Sequence, residues 1–328
     1  MAHLYHPARF QGRGKKHTYF EGWYYKLVSS SESSAYAIIP GVSLSRDKNK
    51  SHAFIMVVDA RHHKMHYAQY PINEFWASKK DFVITIGPNQ FSRERLELNI
   101  DNDKSKISAN LQFKNIFPWP VNWYSPGTMG PYAFIPWMEC YHATLSFDHR
   151  ISGKMTINQR TVNLTDGKGY LEKDWGRSMP SAWIWMQTNH FDEDGVSLFG
   201  SVARIPWLGR SFTGYIFGLL HKNTLYRFTT YNGARIEHLS VDEKSISLTI
   251  ATKKYALEIS AERAAGIDLP APKLGDMSAK VNESLRARIH VSLVNRQSQR
   301  EIFSGTGRNA GLEFVGDIDQ LLHGLKLR

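Results

Sequence analysis

Two carboxylates two residues apart, Glu172 and Asp174, are the clearest chemical opportunity in the chain. They lie in GYLEKDWGRSMPSAWIWMQTNHF (169–191), which gathers three Trp, a Tyr and several ionisable groups between turn signals. If the first half is extended, alternation puts Tyr170, Glu172 and Asp174 on one face and Leu171, Lys173 and Trp175 on the other. Two acids so close in a partly dry site cannot both ionise cheaply, so one stays protonated and can pass a proton to a weak base. The plainer reading is a surface acid pair at a turn, neutralised by Lys173 and Arg177.

In the second half, Trp183, Trp185, Gln187, Asn189 and Phe191 share a face, against Ile184, Met186, Thr188 and His190. Two Trp followed by two amides suit a roomy pocket better than a close-packed core. Glu21 sits among Tyr19, Phe20, Trp23, Tyr24 and Tyr25 in YFEGWYYK (19–26), where burying a carboxylate demands a partner. Either an Arg or Lys pairs with it structurally, or it is a second acid or base. In MECYH, a strand would set Glu139 beside Tyr141 and His142 on the opposite face, so only one of the two points inward. His190 reads as a core histidine. His62, His63 and His66 fall in a hairpin turn without a carboxylate or Cys at ligand spacing, and no metal is expected there. The remaining Trp signal, Trp119, Trp123 and Trp137, is either packing or part of a channel whose ring faces stabilise a developing cation.

The elements that must hold these groups read as β structure. Segments such as Phe20–Val28, Ala53–Val58, Asp81–Ile86 and Lys106–Phe113 recur at intervals of about 8–12 residues with turn clusters between them, the pattern of an all-β barrel or sandwich. Residues 117–137 carry five Pro yet are rich in Trp and Tyr, which predicts an ordered aromatic loop at a barrel mouth or between two halves. Residues 1–18 read as an extended arm and Ala264–Met277 as a loop. Helix is expected only at Met277–Leu285 and Asp317–Lys326. A division into residues 1–150 and 151–328 fits two domains of ordinary size.

Composition narrows the class further. The chain has 328 residues, 42% hydrophobic and 22% charged, as in a soluble globular protein. A single Cys, Cys140, excludes an internal disulfide and a CxxC metal framework, and suits a reducing, cytoplasmic setting. No GxSxG elbow, phosphate-binding loop or dinucleotide fingerprint is present, and GTGRNAG (305–311) has the wrong spacing. Net charge is +11, but the basic residues are scattered and no nucleic-acid motif accompanies them. Plain surface charge, or attraction to a membrane surface, accounts for it better than nucleic acid. The N-terminus lacks the apolar core of a secretory signal, and no apolar run approaches the roughly 20 residues of a membrane span.

YFEGWYYK, PGTMGPYAFIPWMECYH (126–142) and the 169–191 stretch together resemble the tocopherol cyclase family, and the resemblance continues through SAKVNESLRARI (278–289) and GLEFVGD (311–317). It implies two lipocalin-like β domains and a prenylated hydroquinone or related isoprenoid as substrate. In that chemistry a buried acid protonates a trisubstituted alkene, and the phenolic oxygen closes onto the tertiary cation to form a chroman. Nothing is oxidised or reduced, so no cofactor and no metal is needed. Carried onto this chain, Asp174 or Glu172 is the acid, with Glu21 as a further acid or base. Trp183 and Trp185 are walls, and Tyr24, Gln187 and Asn189 orient the ring hydroxyls. Trp23, Trp137 and Glu139 complete the expected substrate-contacting set. The alternative is a non-catalytic lipocalin-like carrier of a prenyl lipid. A sugar-binding or sugar-cleaving β protein is a weaker third reading.

Overall fold

The computed structural model describes residues 4–207 and 209–325. Among them, strands dominate and fall into two large antiparallel sheets, the all-β architecture that the alternating sequence predicts and lipocalin-like as the family resemblance implies. The helical content is a few short turns and one helix, Ile318–His323, capped by the Asp317 side chain on the Gln320 amide.

The first sheet is two meanders joined in the middle. Lys64–Pro71, His52–Asp59, Ala35–Leu44 and Tyr19–Val28 run as successive hairpin neighbours, and Tyr19–Val28 then pairs with Lys168–Gly176. That strand pairs in turn with Cys140–Ile157, from which Ser105–Lys114 and the shorter strands before it lead to the other edge. Inward side chains from both arms, among them Val57, Ala68, Ile84, Ile86 and Leu111, share one core. The second sheet repeats the plan, seating its first strand, Trp183–Thr188, beside its last, Arg300–Val315. Its separate core includes Ile184, Met186, Phe217, Leu248 and Val291. Burying an apolar face contributes roughly 25 cal/mol per Å², which is why strands with one solvated face, such as Ser105–Lys114, keep the period of two, whereas His52–Asp59 and Trp183–Thr188 are buried on both faces.

Two compact units result: Met1–Met179 with Leu269–Lys280, and Pro180–Asp268 with Val281–Arg328. The division therefore falls after residue 179 and not at 150/151, because Cys140–Ile157 is one continuous strand bonded on both sides. It also cuts the 169–191 stretch: Lys168–Gly176 belongs to the first unit and Trp183–Thr188 to the second.

Three local expectations change. Met277–Leu285 is not helical but part of the long strand Asp276–Asn295, since ladder bonding overrides its modest helix propensity. Ile267–Lys273, expected as loop, is a strand pairing with it. The arm is packed rather than free, with Ala8 buried in the first core and the Trp23 indole N–H donating to its carbonyl at 3.1 Å. No helix among the described residues is long and apolar enough to cross a membrane.

Candidate active site

Lys168–Gly176 lies between Tyr19–Val28 and Cys140–Ile157, so each of its side chains meets a neighbour from either side. Register sets Glu172 opposite Tyr24 and Thr144, and Asp174 opposite Gly22 and His142. His142 thus stands between the two acids, with Nδ1 3.0 Å from Asp174 Oδ1 and Nε2 3.7 Å from Glu172 Oε2. The buried Tyr170 hydroxyl donates to Glu172 Oε2 at 2.5 Å. Burial by itself would pull the His142 pKa down. Asp174, and then Glu172, more than offset that, so it stands raised and favours the imidazolium. Burial together with Glu172 pushes the Tyr170 phenol well up, so it remains a donor.

The other face of the same strand carries a different arrangement. Lys173 Nζ meets Glu21 Oε1 at 2.6 Å with neither side chain exposed. Glu21 also accepts from the Gln11 amide on both oxygens, at 3.0 and 2.9 Å, and from the Tyr19 hydroxyl. Lys173 donates to the Pro7 and Arg9 carbonyls, at 2.8 and 2.5 Å, and sits 5.1 and 4.6 Å from the Trp23 and Trp175 rings. Burial pushes Glu21 up and Lys173 down, and each opposes the other's shift. Three donors around the carboxylate and three acceptors around the ammonium hold the proton on the lysine. Glu21 is therefore the structurally paired carboxylate, facing the core and pinning the arm, and it does not join Glu172 and Asp174. Trp23 is likewise core, stacked on Phe82 at 5.7 Å.

A cavity of about 850 Å³ opens in the same unit, within the range of small-molecule sites. Its walls include Met129, Phe134, Trp137 and Met138 from the proline-rich loop and the stacked Tyr141–Trp175 pair, with His142 also lining it and Lys15, Lys16 and Arg177 among its charged residues. The loop is ordered, as expected. Thr128 Oγ1 accepts from the Thr144 amide at 2.8 Å, Tyr141 donates to the Ile135 carbonyl at 2.7 Å, and Trp119 is buried against Phe147. Trp137 is on the cavity wall. Glu139 lies just before the strand, where its carbonyl accepts from the Arg177 amide at 2.8 Å; burial raises its carboxyl and Arg177 opposes the shift. Tyr24 is buried on the Glu172 face.

Trp183, Trp185, Gln187 and Asn189 are buried in the second unit. There the Trp183 indole donates to Glu313 Oε2 at 2.7 Å, and Gly311 leaves room for the Trp185 ring, which would lie 2.5 Å from any added Cβ. His62 is engaged with Asp59, its Nδ1 3.1 Å from both carboxylate oxygens, in a cluster that also holds Arg160. Sequence reasoning missed the bridging role of His142, the donor role of Tyr170 and Glu313 beside Trp183. A signal existed for the first two, since strand alternation fixes their faces. The atoms of His142, Glu172 and Asp174 that can ligate lie within 4.8 Å of one another, near enough to close on a divalent ion. However, Nδ1 is engaged with Asp174 Oδ1 at 3.0 Å and Nε2 lies 3.4 Å from Thr144 Oγ1, an arrangement that suits a proton shared with Asp174 better than an ion needing one nitrogen free.

An all-β, lipocalin-like protein with an acid–imidazole group beside a ligand-sized cavity is the class that fold and site define. Residues 95–316 match the tocopherol cyclase-like family, and the chain belongs to that family. Its fold is similar to that of the crystal structure of CghA with Sch210972, with a TM-score of 0.55 at 8% identity over 91% of this chain and 89% of that one. It is also similar to a Nitrosomonas europaea protein assigned as AttH, with a TM-score of 0.53 at 13% identity over 90% and 92%.

Proposed function

We propose that the chain is a cofactor-free cyclase that protonates the alkene of a prenylated hydroquinone, or a related isoprenoid, and closes it to a chroman. The observation that carries this reading is His142 held between Asp174 and Glu172 at the edge of an aromatic-walled cavity. Membership of the tocopherol cyclase-like family supports the same class of chemistry.

Asp174 is the acid, through one proton that it shares with His142 across the 3.0 Å Nδ1–Oδ1 contact. The charge of Asp174 is what holds His142 raised, so the pair carries a single proton there and not two. Its delivery leaves the carboxylate and a neutral imidazole, beside Glu172, which Tyr170 holds. Asp174 does not itself line the cavity, but its side chain keeps 24% of its surface exposed and its partner His142 and neighbour Trp175 are both on the wall. The alkene π pair forms a C–H bond with the proton, and positive charge appears at the tertiary carbon. Tyr141, Trp175 and Trp137 offer π faces to that cation. The phenolic oxygen then forms the C–O bond, and its proton returns to Asp174. Excluding water matters, because water capturing the same cation would give an alcohol instead.

Anaerobic incubation with a prenylated hydroquinone, followed by chromatography, tests this. Chroman product that disappears with Asp174→Asn is expected. Tight quinol binding, seen as Trp fluorescence quenching, with no product would replace the cyclase with a carrier.

A further inference from the structure

We propose that the rim of this cavity is a docking face for an anionic lipid bilayer. The segment 121–137 leaves Trp123 79% exposed, Tyr124 56%, Phe134 44% and Trp137 86%, although the unit has a complete core of its own. These rings form one surface rather than scattered exceptions. Tyr5 links them, its ring 6.4 Å from Phe134 and its hydroxyl donating to the Trp123 carbonyl at 3.0 Å. Phe134 and Trp137 continue that surface onto the cavity wall. Trp137 is held there with φ of 67°, a left-handed backbone that a bulky residue rarely adopts, so its outward position is imposed by the local fold.

Charge selects the occupant. Among the described residues no Asp or Glu lines the cavity, whereas Lys15, Lys16 and Arg177 do, and Lys15 and Lys16 are exposed. The stretches 4–18 and 121–137 contain no acidic residue at all. Large apolar patches on a soluble unit mark interaction sites. Trp and Tyr seat their rings at the headgroup level of a bilayer, and lysines within a Debye length are drawn to anionic lipid. Aromatic rings flanked by lysines, with no counter-charge between them, match that boundary. If the cyclase reading above holds, the consequence is that an isoprenoid passes from the bilayer into the cavity without crossing water.

Flotation with vesicles measures the docking itself, independently of turnover. Vesicles of phosphatidylcholine mixed with phosphatidylserine are expected to carry the full-length protein, and pure phosphatidylcholine vesicles to carry little. Lys15→Ala with Lys16→Ala should weaken binding about 30-fold, given roughly 1 kcal/mol per lysine. Trp123→Ser with Tyr124→Ser should abolish it while the thermal unfolding curve is unchanged, and Trp137→Ser should weaken it separately. Absence of wild-type binding to the mixed vesicles, or binding indifferent to all three variants, overturns the proposal. So does sedimentation showing a dimer that Trp123→Ser dissolves, which would give the face to a second copy of the chain.

Discussion

Lys173 and Glu21 meet at 2.6 Å with neither side chain reaching solvent, and between them they bind the backbone of Pro7, Arg9 and Gln11. Removing one partner of a buried pair strands the other charge, at a cost of about 3–5 kcal/mol. Lys173→Ala or Glu21→Ala should lower stability by that order in urea unfolding. Replacing both with apolar residues of similar volume should recover much of it. An equal loss in the double variant would mean that packing, and not the stranded charge, sets the cost.

The acid group makes a kinetic prediction. Asp174→Asn should slow turnover of a prenylated hydroquinone by about 10²–10⁴-fold, the usual contribution of a positioned acid. Tyr170→Phe, which removes a donor to Glu172 and leaves Asp174 and His142 in place, should slow it less.

His142 adds a pH signature. Its folded pKa is raised above the ordinary imidazole value, so the stabilisation from its charge is complete below the unfolded pKa and fades as pH rises through the folded one. Turnover should fall on the alkaline side of the ordinary histidine range. His142→Gln should remove that limb from the pH–rate profile, and a profile of unchanged shape would exclude His142 from the proton path.

His149 behaves in the opposite sense. Burial pushes it down to about 3, against the Phe113 ring at 4.7 Å and with Nδ1 3.0 Å from Ser146 Oγ. The unfolded chain takes up a proton there that the folded chain refuses, so stability should drop as pH falls from the ordinary histidine range toward 3. Comparing urea midpoints of the wild type and His149→Gln across that interval checks it, the variant showing the shallower decline.

Zinc separates a shared proton from a metal centre at His142. A bound ion would need the imidazole unprotonated, with a Zn–N distance of about 2.0–2.1 Å. Added Zn²⁺ should therefore inhibit, more strongly at higher pH, and a chelator alone should leave turnover intact. Activity abolished by the chelator and restored by zinc would make the group a metal site.

Alternation made the strand faces legible. Tyr170, Glu172 and Asp174 share one side and Leu171, Lys173 and Trp175 the other, because a period of two needs only local backbone geometry. The family strings and the aromatic loop were legible for a similar reason, being contiguous. What sequence could not supply is which strand lies beside which. Lys173 as the partner of Glu21, and His142 as the group between two acids, follow from strands far apart in the chain becoming neighbours. Met277–Leu285 looks helical residue by residue, and only the ladder around it makes it a strand.

Residues 269–280 come from the later half of the chain but complete the first unit. At their tip, Gly275, with φ of 85°, fits against the backbones of Leu44 and Tyr19, donates to the Arg177 carbonyl at 2.8 Å and accepts from Ser43 at 2.5 Å. During synthesis, then, the first unit cannot close when its own last strand leaves the ribosome. It must wait, with the backbone around Ser43 and Leu44 uncovered, while the chain through residue 280 is made, so nascent chains of this protein spend that interval exposed to chaperones and to misassembly in a way that a strictly sequential pair of domains would not.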